Sequence, residues 1–402
     1  MLYDLIVIGG GAAGFFAAIN SPKGTKTIIL EKNRAPLQKV KVSGGGRCNV
    51  THHCFEPEKL IENYPRGKEF LLEPFRRFGP SDTINWFRER GVSLKKEQDG
   101  RMFPETNSSQ TIIDCFQKEL SRKNIELRTS TKVLSFSKEE DCWQVSLENE
   151  EKLETKNLLI ATGGDKAIWN QLRSLNLSIV EPVPSLFTFQ IQDKFLHELS
   201  GTSFESSTVK TKGFRSSGPM LITHWGLSGP AVLKLSAFAA RELANQNYSF
   251  TITVDWLSEI STEKIVEELR RYQTENPKKK VRSLSVFGLS KRFWEYICNE
   301  SSVGEFQNWS ETGKKHFRKI SENLKKKVFH VEGKTTFKEE FVTAGGVCLS
   351  EIDPNSFMVN KYPGLYLAGE VMDIDAVTGG FNFQAAWTGA YIVSNSIAAK
   401  NA

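Results

Sequence analysis

Apolar runs punctuated by glycine and proline frame this chain of 402 residues. Near the N-terminus, Leu5-Ile6-Val7-Ile8 predicts a buried strand, residues 15–20 a helix that Pro22 and Gly24 stop, and Thr27–Leu30 a second strand. Residues 82–90 read as an amphipathic helix. The runs 92–97 and 101–103 flank Asp99-Gly100, a hairpin signal. Ser108 or Ser109 is placed to cap a helix through Ile112, Ile113, Phe116 and Leu120. Residues 132–137, 143–147 and 152–155 predict an antiparallel meander. A further buried strand, residues 157–160, then runs into Ala161-Thr162-Gly163-Gly164.

After Pro182 and Pro184 the pattern changes. Residues 186–255 alternate short β-like runs with Gly and Ser, and a helix is expected from Ala231. Residues 256–330 carry helical periodicity. Strand-like runs return at 341–347 and 365–368, each breaking into glycine, and a helix is predicted over 385–399. Similar character at both ends with a different middle predicts a discontinuous α/β domain carrying insertions. The expected boundaries are 1–185 and 331–402 for the divided domain, 186–255 for a β-rich insert and 256–330 for a helical one.

Composition narrows the class. Charged residues make up 25% and apolar residues 39%, as in globular proteins. No apolar stretch approaches the ~20 residues that cross a bilayer, and Asp4 stands where a signal peptide would be basic. Six cysteines are scattered without a C-x-x-C pair, which fits a reducing, cytoplasmic setting. The formal charge is +6. Within 256–330, 16 Lys and Arg face 10 Glu. Pro277-Lys278-Lys279-Lys280-Val281-Arg282 resembles a nucleic-acid patch, but a solvated loop is the commoner meaning and no aromatics are interleaved. Nucleic acid is therefore weighed against here, and a small-molecule substrate favoured.

The chemistry begins at Gly9-Gly10-Gly11-Ala12-Ala13-Gly14, a G-x-G-x-x-G fingerprint between strand and helix. Gly9 permits the tight turn, Gly11 lets backbone approach a pyrophosphate, and Gly14 lets the helix pack on the strand. Glu31 ends the second strand, where a carboxylate can accept both hydroxyls of an adenosine ribose. Together these predict a dinucleotide site. A second glycine cluster, Gly44-Gly45-Gly46 with Arg47, Cys48 and Asn49, favours backbone passing close to a ligand over a bare surface turn. Thr162 and Gly163 end a strand at the carboxyl edge of the sheet, where ligands of such folds bind. Five residues separate Cys48 from Cys54, which argues against a redox pair. His52 and His53 aim their rings apart, and no spacing suggests a metal.

The blocks GGGAAG, SGGGRCNVT, GRMFPET, THWGLSGPA, VTAGG and GLYLAGEVMDIDAVTGGFNFQAA resemble a bacterial FAD flavoprotein family labelled aminoacetone-oxidase-like and bile-acid-dehydroxylation-reductase-like. The resemblance implies a Rossmann-like FAD domain of glutathione-reductase type, interrupted by a β-barrel and a helical subdomain. It implies that Gly9, Gly11, Gly14 and Glu31 hold the ADP half, with Lys32 beside the adenosine and the Val133 backbone against adenine. Gly44 to Asn49 would lie near the isoalloxazine ring, and Gly369-Glu370 at the ribityl and pyrophosphate. Gly380, Asn382 and Phe383 begin a helix whose N–H groups can face flavin N1 and O2. The implied activity is FAD-dependent hydride transfer between flavin N5 and an unidentified small molecule. A tRNA-modifying flavoprotein using the basic insert is the alternative. One fingerprint alone leaves no separate nicotinamide domain, so either NAD(P)H binds transiently at the flavin face or the electrons come from substrate and leave to oxygen or another acceptor. His224 and Arg47 are the substrate-facing candidates: an imidazole can move a proton near neutral pH, and a guanidinium can hold a carboxylate or the flavin. A structural histidine packed by Trp225 stands as the alternative for His224.

Overall fold

The structure is a computed structural model that describes residues 2–283, 285–335 and 342–401. It divides into two compact units, Met1–Pro184 with Phe337–Ala402, and Ser185–Thr336. Phe341, at the start of a predicted strand, lies outside the described residues.

The first unit is built on a seven-stranded sheet. Strands β1 (Leu2–Ile8) and β2 (Thr27–Leu30) are buried along almost their whole length, as strands covered on both faces must be. The helix Ala12–Asn20 joins them. A small antiparallel sheet follows, of β3 (Thr51–His52), β4 (Leu94–Lys96) and β5 (Arg101–Pro104), the last two closing on the Asp99-Gly100 turn. Then come β6 (Glu126–Arg128), β7 (Val133–Glu139), β8 (Cys142–Leu147), β9 (Lys152–Ile160) and β10 (Ile179–Ser185).

Strand β9 departs from expectation. The third strand of the meander and the buried strand after it are one element. Residues 152–155 pair antiparallel with β8, whereas residues 158–160 are parallel to a C-terminal strand. The burial alternates at first and then becomes continuous, which is why one strand reads as two.

In the second unit one antiparallel sheet runs through β11 (Thr188–Gln190), β12 (Ser203–Thr211), β13 (Phe214–Thr223), β14 (Gly226–Ser228), β15 (Phe250–Asp255), β16 (Lys327–Val331) and β17 (Gly333–Thr335). Its spatial order is β16-β15-β12-β13-β14-β11-β17. The two outermost strands are separated in sequence by Glu332 alone. Six inter-strand spacings of ~4.8 Å could not be bridged by one residue, so the sheet must roll into a barrel. The helices Thr262–Glu275, Lys291–Glu300 and Lys314–Lys325 bury Leu269, Trp294 and Phe317 in the same core as Phe189, Val209 and Trp256 of the barrel.

The chain then returns to the first unit with β18 (Val342–Val347), paired with β10, and β19 (Leu365–Leu367), parallel to β9. The parallel core therefore has the order β6-β2-β1-β9-β19. Strand order reverses between β1 and β9, and ligands of such sheets bind at the carboxyl ends there. The last helix, Phe381–Asn401, begins four residues before the 385–399 run, at the N-terminus expected after Gly379-Gly380, and packs along Ala12–Asn20. Phe16, Phe87, Phe116 and Trp387 interlock between these helices.

Candidate functional site

The glycine turn sits where the sheet order reverses. Gly9 has φ 113°, and a Cβ there would run into the carbonyl of Ala161 at the end of β9. A Cβ on Gly14 would strike the carbonyl of Gly9. Gly11 occupies the N-cap of the first helix, so the N–H groups of Ala12, Ala13 and their neighbours are free of helical partners. Such a terminus attracts anionic oxygen.

Glu31 closes this turn from the side. Its Oε2 accepts from the Gly10 N–H (2.7 Å), and its Oε1 accepts from the backbone and side-chain nitrogens of Asn33 (2.8 Å each). Both lone-pair directions of Oε1 are thereby taken, and Oε2 keeps one. In this arrangement a ribose can give Glu31 one hydroxyl, where the sequence suggested two. Lys32 is exposed and pairs with Asp165 at 2.6 Å. Burial alone would raise the Asp165 carboxyl, but the ammonium and the N–H groups of Ala167 and Ile168 hold it below the usual carboxylate range. Val133, at the start of β7, is buried.

The second glycine cluster is a kinked turn. Gly44, Gly45 and Gly46 have φ of 58°, 67° and 81°, inside the segment Gln38–Gly46. Arg47 clamps it to the hairpin: its guanidinium lies 4.0 Å over the Phe103 ring and pairs with Glu97 at 2.6 Å. Cys48 is buried, and burial pushes its thiol up to about 12, so it is no nucleophile. The cysteines are all free.

Asn49 ties this turn to the last helix. Its amide accepts from the Gly380 N–H (2.9 Å) and donates to the Thr51 carbonyl (3.1 Å). Thr51 and Thr83 both donate to Gln384, which donates in turn to Thr388. Asn382 holds the preceding loop by a reciprocal pair of bonds to Ala376. Tyr64 donates to the Phe381 carbonyl (2.6 Å), His52 stacks on the Phe381 ring, and Phe383 stacks on Trp387. The helix N-terminus is thus fixed from five directions, while the N–H groups of Phe381, Asn382 and Phe383 keep the freedom of a first turn.

At the carboxyl end of β9, Thr162 Oγ1 is shielded from solvent and has no partner among the described residues. Beside it Gly163 has φ 62° and faces Glu370. Glu370, following Gly369 (φ 79°), accepts from the Thr343 N–H (2.8 Å) and from Lys39 (2.5 Å). Arg66 and Asp375 form a buried bidentate pair that holds the loop before the last helix. Lys39, Tyr64 and Arg66 lie outside every sequence block, and Thr51, Thr343, Asp375 and Gln384 stand inside such blocks with no role assigned, because each acts through a residue distant in the chain.

His224 belongs to the second unit. It is exposed in the turn between β13 and β14, edge-on to Trp225 at 4.0 Å.

An orphaned hydroxyl, left-handed glycines and two helix N-termini in the first unit fit an FAD molecule. With this fold, the chain is an FAD-dependent oxidoreductase. It belongs to the family described as HI0933-like protein Rossmann domain, which matches residues 3–396. It is 28% identical over 412 residues to the ribosomal RNA dihydrouridine synthase of Escherichia coli (strain K12), covering 99% of each chain. To the 3-dehydro-bile acid delta(4,6)-reductase of Clostridium scindens it is 22% identical, covering 98% of each. The structure of 3-ketosteroid-delta4-(5alpha)-dehydrogenase from Rhodococcus jostii RHA1 matches with a TM-score of 0.53 at 12% identity, over 99% of this chain and 97% of that one. That likeness shows the fold. No helix among the described residues is long and apolar enough to cross a membrane.

Proposed function

We propose that this chain is a flavin-dependent reductase of a C=C bond conjugated to a carbonyl, and that its substrate is a uracil base in ribosomal RNA. The observation that carries the reading is end-to-end similarity to proteins named for reductions of this kind. A dihydrouridine is a uridine with two hydrogens added across the ring C=C, next to a ring carbonyl. A 3-oxo steroid with delta(4,6) unsaturation presents a related system, longer by one C=C. Reduction of the uracil needs one hydride at the carbon β to the carbonyl and one proton at the α carbon, and the dienone takes its hydride at the β or the δ carbon.

FAD, when bound and reduced, supplies the hydride from N5. The chain's own work is to hold and orient. The Gly9–Gly14 turn and Glu31 would hold the ADP half, and Thr162 would offer its unpartnered hydroxyl. The first-turn N–H groups at Phe381, Asn382 and Phe383 would hold the flavin and favour negative charge on it. Arg47, at the second glycine turn, would hold an anionic group of substrate or cofactor. NAD(P)H, bound transiently at the flavin face, is the electron source.

The test is incubation of FAD-loaded protein with NADH or NADPH and unmodified ribosomal RNA, followed by nucleoside mass spectrometry. Dihydrouridine that requires both protein and reductant supports the proposal. A small-molecule enone is the second reading, favoured by the Clostridium scindens relative. Reduction of a 3-oxo dienone steroid with no dihydrouridine in RNA would establish it instead.

A further inference from the structure

The positive charge of the chain is unevenly placed. Residues 185–336 carry 23 Lys and Arg against 16 Asp and Glu, an excess of seven, while the rest of the chain is near balance with 30 against 31. Within this unit, Lys278, Lys279 and Lys280 are exposed and make no ion pair among the described residues. An exposed aromatic ring is brought to them from 26 residues further on. Residues 277–281 run antiparallel to 307–310, through bonds from Val281 to Gln307, Trp309 to Lys279 and Ser310 to Pro277. Buried Trp309 and Val281 anchor the two segments. The pairing sets Lys280 Nζ 4.4 Å over the ring of Phe306, which is 69% exposed. The Glu311 carboxylate turns back to accept from the Asn308 N–H, and the other acidic neighbours in sequence are Glu305 and Glu275, the latter facing Arg271 at 3.8 Å.

We infer that this patch binds single-stranded RNA, a base stacking on Phe306 and Lys278, Lys279 and Lys280 neutralising successive phosphates. It rests on the proposed RNA substrate and names the surface that holds it. A planar face with adjoining ammonium groups is the chemistry of single-strand binding, because every base has a π-face and every linkage a charge. The geometry supplies the aromatic that the lysine run lacks in sequence.

The experiment is fluorescence anisotropy of the FAD-loaded full chain with a labelled single-stranded RNA of about twelve nucleotides, over a range of salt concentrations. Phe306→Ala should weaken binding roughly fivefold or more, and Phe306→Tyr should restore it. Replacing all three lysines with Ala should lower the slope of log affinity against log salt by about 2, from ~0.7 per phosphate on a single strand. Flavin absorbance and circular dichroism of each variant check that the fold is kept. Unchanged affinity and salt slope overturn the inference, whether or not the wild type reduces uridines. Loss of RNA binding in both variants supports it, even if no dihydrouridine forms, and then only the functional reading fails. Wild-type binding to phosphatidylglycerol vesicles and not to RNA overturns it in favour of a membrane surface.

Discussion

The carboxylate of Glu31 accepts the Gly10 N–H at 2.7 Å, so the acid at the end of β2 and the glycine turn after β1 form one unit. Glu31→Ala leaves the buried N–H of Gly10, and the exposed Asn33, without their acceptor. Stability of the first unit should fall by about 2 kcal/mol, and the purified variant should lose FAD. Urea denaturation and flavin content check both.

The glycines differ in what they must avoid. Gly14→Ala drives a methyl into the Gly9 carbonyl and should cost at least ~3 kcal/mol. Gly45→Ala meets open space and only a left-handed φ of 67°, for a cost of ~1 kcal/mol. Melting temperatures of the two variants should therefore separate clearly, with Gly45→Ala retaining flavin.

Much of this site was legible in sequence because it is local. Strand, turn, helix, strand and Glu31 follow one another within 31 residues, and the constraints on Gly14 and Glu31 are set by neighbours in that stretch, while Gly9 also faces Ala161. The rest depends on distant partners. The last helix starts at Phe381 because Asn49, Tyr64 and Asn382 hold its first turn, whereas Gly379-Gly380 reads locally as loop. The single strand Lys152–Ile160 is hidden by its change of partner, from β8 to β19. Phe306 meets Lys280 only through pairing across 26 residues.

The pair Arg66–Asp375 is buried, with Asp375 fully shielded. Arg66→Met leaves a buried carboxylate without its guanidinium and should cost ~3–5 kcal/mol. Combining it with Asp375→Leu should recover part of that loss. Thermal unfolding of the single and double variants measures the difference.

Asn382 stands in the first turn of the last helix and bonds Ala376 through both amide atoms. Asn382→Asp adds negative charge at a dipole end that favours reduced, anionic flavin. A helix-terminus effect of ~1 kcal/mol corresponds to a two-electron potential lower by ~20 mV. Dye-equilibrated spectrophotometric titration would read it.

Alkaline pH should weaken the first unit. Burial raises the Cys48 thiol to about 12, against ~8.5 in an unfolded chain. Its neutral form is the native one, so stability is fully present below ~8.5 and is lost as pH rises toward the folded value, by ~1.4 kcal/mol per pH unit. Cys48→Ala should flatten the decline. Urea unfolding at pH 8 and pH 10 compares the slopes.

In the proposed function an FAD-bearing site hands reducing equivalents to a uracil in RNA. Anaerobic reduction of the bound flavin with limiting NADPH or dithionite, followed by addition of unmodified ribosomal RNA, tests it most directly. The yellow absorbance should return with RNA, and an equal amount of dihydrouridine should be recovered. Flavin that stays bleached with RNA yet reoxidises with a conjugated steroid enone would contradict it.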